Sequence, residues 1–316
     1  MRVFIAGATG TMGLPLVHQL IRDGHEVVGL TRKEDGAAAL RRAGAEAVIG
    51  DALEGDALKR IVIDARPTHI VHLLTALPKS GGNRASDLAP TNELRIRGTA
   101  NLLQGALAAR AQRIVVESFP IVYGAGDLGT QPLDENAPMD PDPKGATRES
   151  VEALRSMESQ VFAVRDRIET VVLRYGYLYG ADVPSTQGLL EGLRARKVPL
   201  MRGPEGLGSF LHIDDFVSAT MLALQSHVTG VFNIVDDEPV SLRAYLTHAV
   251  RLLDAPQPRS VPRFVVKLLA PMVAQFSTMR VPLSNARAKR ELGFAPRFAN
   301  YRDGLAQVIA AKSNAG

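Results

Sequence analysis

The chain has 316 residues, no cysteine, 46% hydrophobic residues and a formal net charge of +4 at pH 7. This length can bury one large core, or a core and a smaller lobe. The lack of cysteine excludes disulfides, thiolate zinc sites and a cysteine nucleophile, and it is compatible with a reducing cytoplasm. The basic residues are scattered rather than clustered, so we expect no nucleic-acid partner.

Two further classes of protein are disfavoured by the sequence. The chain reaches an apolar strand at once, without a basic and apolar leader, so we expect a cytoplasmic protein. The apolar stretch at 268–279 is 12 residues long and contains Pro271, whereas a bilayer span needs about 20 residues, so we expect no membrane partner.

The seven histidines show no metal-ligand spacing, and we expect no metal.

The first elements are a strand at 2–6, a glycine-rich turn and a helix with apolar residues at Leu14, Val17, Leu20 and Ile21. Strands and helices then alternate. The predicted strands are 25–30, 45–51, 69–74, 113–118 and 169–175, and the predicted helices are 37–44, 56–65, 93–110 and 147–165. Alternation of this kind predicts an α/β fold of the Rossmann type, with a doubly wound parallel sheet.

The alternation of predicted strands and helices becomes irregular after residue 176. We therefore predict a cofactor-binding domain over 1–176, to which 211–235 returns, because the run Val231–Val235 has the composition of a strand. The segments 177–210 and 236–316 are predicted to form a smaller substrate-binding lobe.

Gly7, Gly10 and Gly13 lie between the first strand and the first helix. Glycines at this point let the backbone approach a pyrophosphate and direct free N–H groups of the helix N-terminus at it. Thr9, Thr11 and Met12 belong to the same predicted cofactor loop.

The second strand ends in Thr31, Arg32 and Lys33, where an NAD-binding protein has an acidic residue for the ribose 2′-hydroxyl. A hydroxyl and two cations suit a 2′-phosphate. We expect NADP(H) as the preferred cofactor and leave NAD(H) open, together with the alternative that these are two solvated surface charges.

Several further stretches are similar to the extended short-chain dehydrogenase/reductase superfamily, specifically the NAD-dependent epimerase/dehydratase group. The resemblance covers nearly the whole chain, through GATGTMG at 7–13, RGTANLL at 97–103, VYG at 122–124, LRYGYLYG at 173–180 and FLHIDDFVSA at 210–219. It implies that Asp51 and Ala52 contact the adenine, and that Leu73, Leu74 and Thr75, on the strand that passes beside the cofactor, lie near it.

The chain departs from this family at the catalytic residues. The family uses a tyrosine with a lysine four residues later, which lowers the tyrosine pKa, and a serine or threonine on the preceding strand. None of the six tyrosines here is followed by lysine at that spacing. By alignment, Ser150 takes the tyrosine position, Leu154 the lysine position and Phe119 the serine position.

The remaining catalytic candidates are Ser118, Tyr123, Tyr175 and Tyr177, each with a structural alternative: a turn cap, a loop tyrosine or pocket lining. Glu117, Arg148 and Glu149 are further acid, base or anion-binding candidates, although charged residues on helices are more often solvated.

Three functions stay open. The first is an NADP(H)-dependent oxidoreductase or epimerase/dehydratase-like enzyme that acts on a carbonyl or hydroxyl group of a small molecule with a non-standard proton donor. The second is a catalytically inactive NADP(H)-binding redox sensor, and the third is a non-redox isomerase or lyase with a structural cofactor. The apolar segment 261–279 could line a hydrophobic substrate site, pack as ordinary helix or form the face of a homodimer.

Overall fold

The computed structural model describes residues 1–77 and 84–313. A seven-stranded sheet forms its centre, with the strands β1 (Arg2–Ala6), β2 (Glu26–Thr31), β3 (Glu46–Ile49), β4 (His69–His72), β5 (Arg113–Ser118), β6 (Glu169–Tyr175) and β10 (Gly230–Ile234). Their order in the sheet is β10-β6-β5-β4-β1-β2-β3, and every neighbouring pair is parallel. The predicted Rossmann-type α/β fold is confirmed.

Helices cover both faces of this sheet, because parallel strands are joined by crossover helices. The helices that follow the first strands are α1 (Gly13–Arg22), α2 (Glu34–Arg42), α3 (Gly55–Ala65), α4 (Ala89–Glu93), α5 (Thr99–Ala108), α6 (Arg148–Ala163) and α8 (Ile213–Gln225). One apolar core lies between the sheet and α3, α5 and α6, and the other between the sheet, α1 and α8.

The helix predicted over 93–110 begins earlier and is interrupted. It starts at Ala89, with Pro90 in its first turn, and a π-helical turn over Leu94–Gly98 joins α4 to α5. The π turn widens the helix where it passes the carboxyl ends of β4 and β5.

A third core forms the smaller lobe. It contains α7 (Pro184–Arg194), α9 (Leu242–Leu252) and α12 (Tyr301–Ser313), with Phe210 and Tyr245 stacked at a centroid distance of 4.3 Å. Two strand pairs complete the lobe: β7 (Tyr177–Tyr179) with β9 (Phe210–His212), and β8 (Leu200–Met201) with β11 (Ser260–Val261).

Two short helices, α10 (Arg263–Leu269) and α11 (Pro271–Phe276), occupy the apolar segment near the C-terminus. Within the described residues, no helix is both long and apolar enough to cross a bilayer. The later stretch 288–294 packs against α8 and β10 rather than in the lobe, since Ala288, Leu292 and Phe294 are buried in the core beside α1.

Candidate cofactor and active site

The glycine loop is so tightly packed that a side chain would not fit at Gly7 or at Gly13. Gly7 has φ +94°, and a Cβ there would lie 2.4 Å from the carbonyl oxygen of Leu73. A Cβ on Gly13 would lie 2.2 Å from the carbonyl oxygen of Gly7. Helix α1 begins at Gly13 without a side-chain cap, and the Gly13 N–H has no hydrogen-bond partner among the described residues, so it is available to an anion. The loop therefore fits a pyrophosphate.

A cavity of about 150 Å³ lies along the carboxyl ends of β2, β1 and β4, next to this loop. It brings together residues from each of the four predicted cofactor segments: Gly7, Thr9, Gly10, Thr31, Arg32, Asp51, Ala52, Leu73, Leu74 and Thr75. Leu30, Gly50 and Leu94 also line it, although they are not among the cofactor-binding residues predicted from the sequence. Thr11, Met12 and Gly13 lie at the start of α1, and Lys33 immediately precedes α2.

Arg32 lines this cavity, and Lys33 follows it in sequence, directly before α2. Both are exposed, and within the described chain neither side chain has a hydrogen bond or an ion pair. Thr31 beside them is buried. Just after β3, Asp51 Oδ1 accepts a hydrogen bond from the backbone N–H of Leu53 at 2.9 Å. This bond fixes the carboxylate at the cavity wall.

Ser118, a predicted catalytic candidate, is hydrogen-bonded to a buried ion pair between Glu158 and Arg174. Its Oγ donates to Glu158 Oε1 at 2.6 Å, and Arg174 donates to both oxygens of the same carboxylate, at 3.0 and 2.6 Å. All three side chains are buried, with exposures of 0 to 2%. Ser118 thus connects β5 to α6 rather than facing the cofactor cavity.

Tyr123 and Tyr175 are also held by hydrogen bonds inside the protein. Tyr123 Oη donates to Asn233 Oδ1 at 2.9 Å, below the Arg174 guanidinium, which lies 4.6 Å from its ring centroid. Tyr175 Oη lies 2.7 Å from Thr220 Oγ1. Burial raises the pKa of both phenols, so neither is activated as a phenolate.

The positions that align with the family's catalytic pair hold no ionisable group. On α6, Ser150 is 4% exposed and Leu154 is fully buried among apolar residues. Arg148 and Glu149 lie on the exposed side of the same helix, where Arg148 pairs with Glu152 at 2.9 Å.

Tyr177 stands among apolar and aromatic side chains that form an aromatic cleft. Its ring lies 5.5 Å from that of Phe119, 5.5 Å from Phe210 and 6.2 Å from Phe276, and Met279 lines the same space. The hydroxyl has no hydrogen-bond partner in the described residues, and burial raises its pKa. Phe119 directly follows β5, so the cleft begins at the sheet edge that carries the cofactor cavity.

The aromatic cleft continues into a longer apolar groove. A cavity of about 120 Å³ beside Tyr177 shares Gly206, Leu242 and Ser277 with a second cavity of about 190 Å³. Val266 of α10 and Val273 of α11 line the second cavity. The groove therefore passes under the two short helices of the C-terminal apolar segment.

Arg95 and Glu117 form a second buried charged pair. Glu117 is a candidate from the sequence, whereas Arg95 is not. The nearest nitrogen and oxygen, Arg95 Nη2 and Glu117 Oε1, are 4.0 Å apart, and each residue is 7% exposed. Burial raises the pKa of Glu117, and the Arg95 guanidinium lowers it. No local signal distinguishes Arg95 from Arg97, which is exposed on the same helix.

Comparison with known proteins finds related sequences that cover most of the chain. The profile of the NAD dependent epimerase/dehydratase family matches residues 3–235. A 3-diazoavenalumate denitrifying reductase from Streptomyces sp. is 39% identical over 312 residues, which cover 96% of this chain and 99% of that protein.

Two more distant similarities are to proteins that carry the names of other activities. A 4-hydroxy-2-methyl-3-oxo-4-farnesyl-3,4-dihydroquinoline-1-oxide ketoreductase from Stigmatella aurantiaca is 28% identical over 252 residues, covering 78% of this chain and 72% of that protein. The structure of UDP-glucose 4-epimerase from Thermus thermophilus, in complex with NAD, superposes with a TM-score of 0.81 at 22% identity and 100% coverage of both chains.

Proposed function

Because the chain belongs to the NAD-dependent epimerase/dehydratase family, as its motifs predicted, we propose that it is a nicotinamide-dependent reductase of an aromatic diazo compound. The observation that carries this proposal is the replacement of the proton donor. Ser150, Leu154 and Phe119 occupy the positions where the family's tyrosine, lysine and serine are expected. Ser118 beside them is bonded to Glu158.

Reduction of an arenediazonium ion needs no such proton donor. Hydride, with its two electrons, forms a C–H bond at the ring carbon, while the C–N bond breaks and its electron pair leaves with dinitrogen. The products are the arene, dinitrogen and the oxidised cofactor, and the single positive charge moves from the substrate to the cofactor. Because no alkoxide forms, loss of the Tyr-Lys pair does not impair this reaction, whereas it would impair ketone reduction.

The relative from Streptomyces supports this choice of substrate class. Its name describes a denitrifying reductase of a diazo compound, and it matches this chain over 96% of the length. A shared substrate class, rather than the identical substrate, is the proposal for this chain.

The lining of the aromatic cleft supports an aromatic rather than a sugar substrate. Tyr177, Phe119 and Phe276 present ring faces and edges, which favour offset or edge-to-face contact with another ring. A nucleotide sugar would bury many hydroxyl groups, and each would need a hydrogen-bond partner. Beside Tyr177 the cleft lining is predominantly apolar, and Ser209 and Ser277 also contribute hydroxyls to it.

We propose NADPH as the preferred hydride source, with NADH as the weaker alternative. When bound, the cofactor supplies the hydride and accepts the positive charge. The loop from Gly7 to Gly13 would hold the pyrophosphate, and Arg32 and Lys33, which have no partner in the described chain, would pair with a 2′-phosphate.

The test is to incubate the protein with NADPH and an arenediazonium salt that has no ortho substituent, following absorbance at the reduced nicotinamide and release of dinitrogen. The proposal predicts one dinitrogen and one arene for each NADPH oxidised. Gly13→Ala supplies the negative control, because its Cβ would collide with Gly7. Gly188→Ala on α7, where a Cβ meets nothing within 4 Å, is the matched control that should retain activity.

Three results would contradict the proposal. The first is a rate that does not exceed that of Gly13→Ala, which would show that the reduction is not enzymatic. The second is reduction of aromatic ketones but not of the diazonium salt. The third is tight NADPH binding without turnover of either compound, which would favour the redox-sensor alternative.

A further inference from the structure

Three buried polar side chains with unsatisfied atoms lie together at the carboxyl edge of the sheet. Arg95 Nε and Glu117 Oε2 have no hydrogen-bond partner among the described residues, and neither do Oδ1 and Nδ2 of Asn92, one helical turn before Arg95. The separation of 4.0 Å between Arg95 and Glu117 is longer than a hydrogen bond. Buried polar atoms are nearly always hydrogen-bonded and are costly when they are not, so this cluster points to a polar or charged ligand.

The position of the cluster identifies the end of the cofactor that would meet it. His72 pairs with Val116 across β4 and β5, so Glu117 lies level with Leu73, which lines the cofactor cavity. Leu94, directly before Arg95, lines the same cavity. The Arg32 end of the cavity lies at β2 and the Leu73 end at β4, next to β5. A dinucleotide with its adenosine at β2 would thus bring its nicotinamide to β5 and this cluster.

We propose that Arg95 and Glu117 act on the nicotinamide end of the cofactor and set its relative affinity in the two redox states. When bound, the nicotinamide ring carries a positive charge in the oxidised form and none in the reduced form. The Glu117 carboxylate therefore favours the oxidised form, and the Arg95 guanidinium favours the reduced form. Glu117 makes bound NADPH a stronger hydride donor, and Arg95 limits that effect.

This inference rests on the cofactor site of the proposed function, but not on its diazo substrate. The experiment therefore measures binding alone: dissociation constants of NADP⁺ by calorimetry and of NADPH by its own fluorescence, for wild type, Glu117→Gln and Arg95→Gln. Glu117→Gln should raise the ratio of the NADP⁺ to the NADPH dissociation constant about tenfold, which is about 30 mV in the potential of the bound couple. Arg95→Gln should lower the same ratio by a similar factor.

Three further variants separate charge from structure. Glu117→Asp and Arg95→Lys keep the charges and should leave the ratio close to that of wild type, even where folding is weakened. Glu169→Gln removes the partner of Arg113, whose Nη1 lies 2.6 Å from Glu169 Oε2 at the amino ends of β5 and β6. That pair is remote from the cofactor cavity, so Glu169→Gln should not change the ratio.

Opposite shifts of the ratio in the two glutamine variants would support the inference. Shifts of the same sign, or equal loss of affinity for both forms, would overturn it, since a merely structural pair would act in that way. If Glu117→Gln does not fold, the comparison of Arg95→Gln with Arg95→Lys tests the same prediction. A wild-type protein that binds neither cofactor form would overturn the proposed function as well, whereas unchanged ratios in an active enzyme would overturn this inference alone.

Discussion

Arg174 of β6 and Glu158 of α6 form a bidentate ion pair with nitrogen-to-oxygen distances of 2.6 and 3.0 Å in the core of the protein. Ser118 of β5 donates to the same carboxylate. The three residues tie α6 to two central strands beside the place where the family's catalytic groups are expected. A polar cluster at this position therefore stabilises the fold rather than activating a proton donor.

Removal of Glu158 should destabilise the protein strongly. Glu158→Gln leaves the Arg174 guanidinium buried without its counter-ion, and breaking a buried pair costs about 3–5 kcal/mol. The free energy of unfolding in urea measures this loss. The double variant Glu158→Leu/Arg174→Met should recover part of it, because no charge is then left unpaired. A single-variant loss below about 1 kcal/mol would contradict the structural role.

Arg32 and Lys33 should determine the cofactor preference. Arg32→Ala and Lys33→Ala each remove a cation from the proposed 2′-phosphate site, and we expect each to weaken NADPH binding about tenfold, a difference of about 1.4 kcal/mol. NADH affinity should change little. The fluorescence of the reduced nicotinamide itself measures the affinities for NADPH and NADH, because the chain contains no tryptophan that could report binding by energy transfer. Arg42→Ala, at the other end of α2, is the control that should bind as wild type does.

Tyr177 should contribute its ring, not its hydroxyl. Tyr177→Phe keeps the contacts with Phe119 and Phe276 and removes an oxygen that has no partner in the described chain, so kcat/KM should stay near the wild-type value. Tyr177→Ala removes the wall of the aromatic cleft and should raise KM for an aromatic substrate about tenfold. Steady-state kinetics distinguish the two. A large fall in kcat for Tyr177→Phe would instead make this tyrosine the proton donor.

The buried carboxyl group of Asp236 should make the free energy of unfolding decrease as the pH rises. Burial raises the pKa of this carboxyl from 3.8 to about 8, with Tyr179, Tyr245, Asp215, Asp237 and Glu238 as its titratable neighbours. Between these two pKa values the folded state keeps a proton that the unfolded chain has released. The unfolded state therefore binds fewer protons, and stability decreases from about pH 4 to about pH 8.

Urea unfolding between pH 5 and pH 9 tests this linkage. Asp236→Asn carries no titrating proton, so its stability should depend less steeply on pH below about pH 8, and its advantage over wild type should grow with pH. Parallel pH profiles for the two proteins would show that the folded state does not hold Asp236 protonated.

Much of the fold could be predicted from local sequence patterns. The strand at 2–6, the glycine turn and the amphipathic helix after it are encoded by neighbouring residues, and so is the alternation that produces a parallel sheet. Most of the predicted cofactor residues line one cavity, since the carboxyl ends of parallel strands meet at one edge of the sheet.

The buried polar contacts could not be predicted in this way. Ser118 and Glu158 are 40 residues apart in sequence, and Tyr123 and Asn233 are 110 apart, so no local pattern relates them. Arg95 and Arg97 both belong to the π turn Leu94–Gly98, and only the tertiary structure, in which Arg95 lies beside Glu117 of β5, decides which of them is buried.

Isotope transfer is the most direct test of hydride reduction without the Tyr-Lys pair. The protein would be incubated with an arenediazonium salt and NADPH deuterated stereospecifically at C4 of the nicotinamide, and the arene analysed by mass spectrometry. The proposal predicts one deuterium at the carbon that lost dinitrogen, from one C4 epimer of the cofactor. An arene whose new hydrogen comes from solvent, or from both epimers equally, would contradict it.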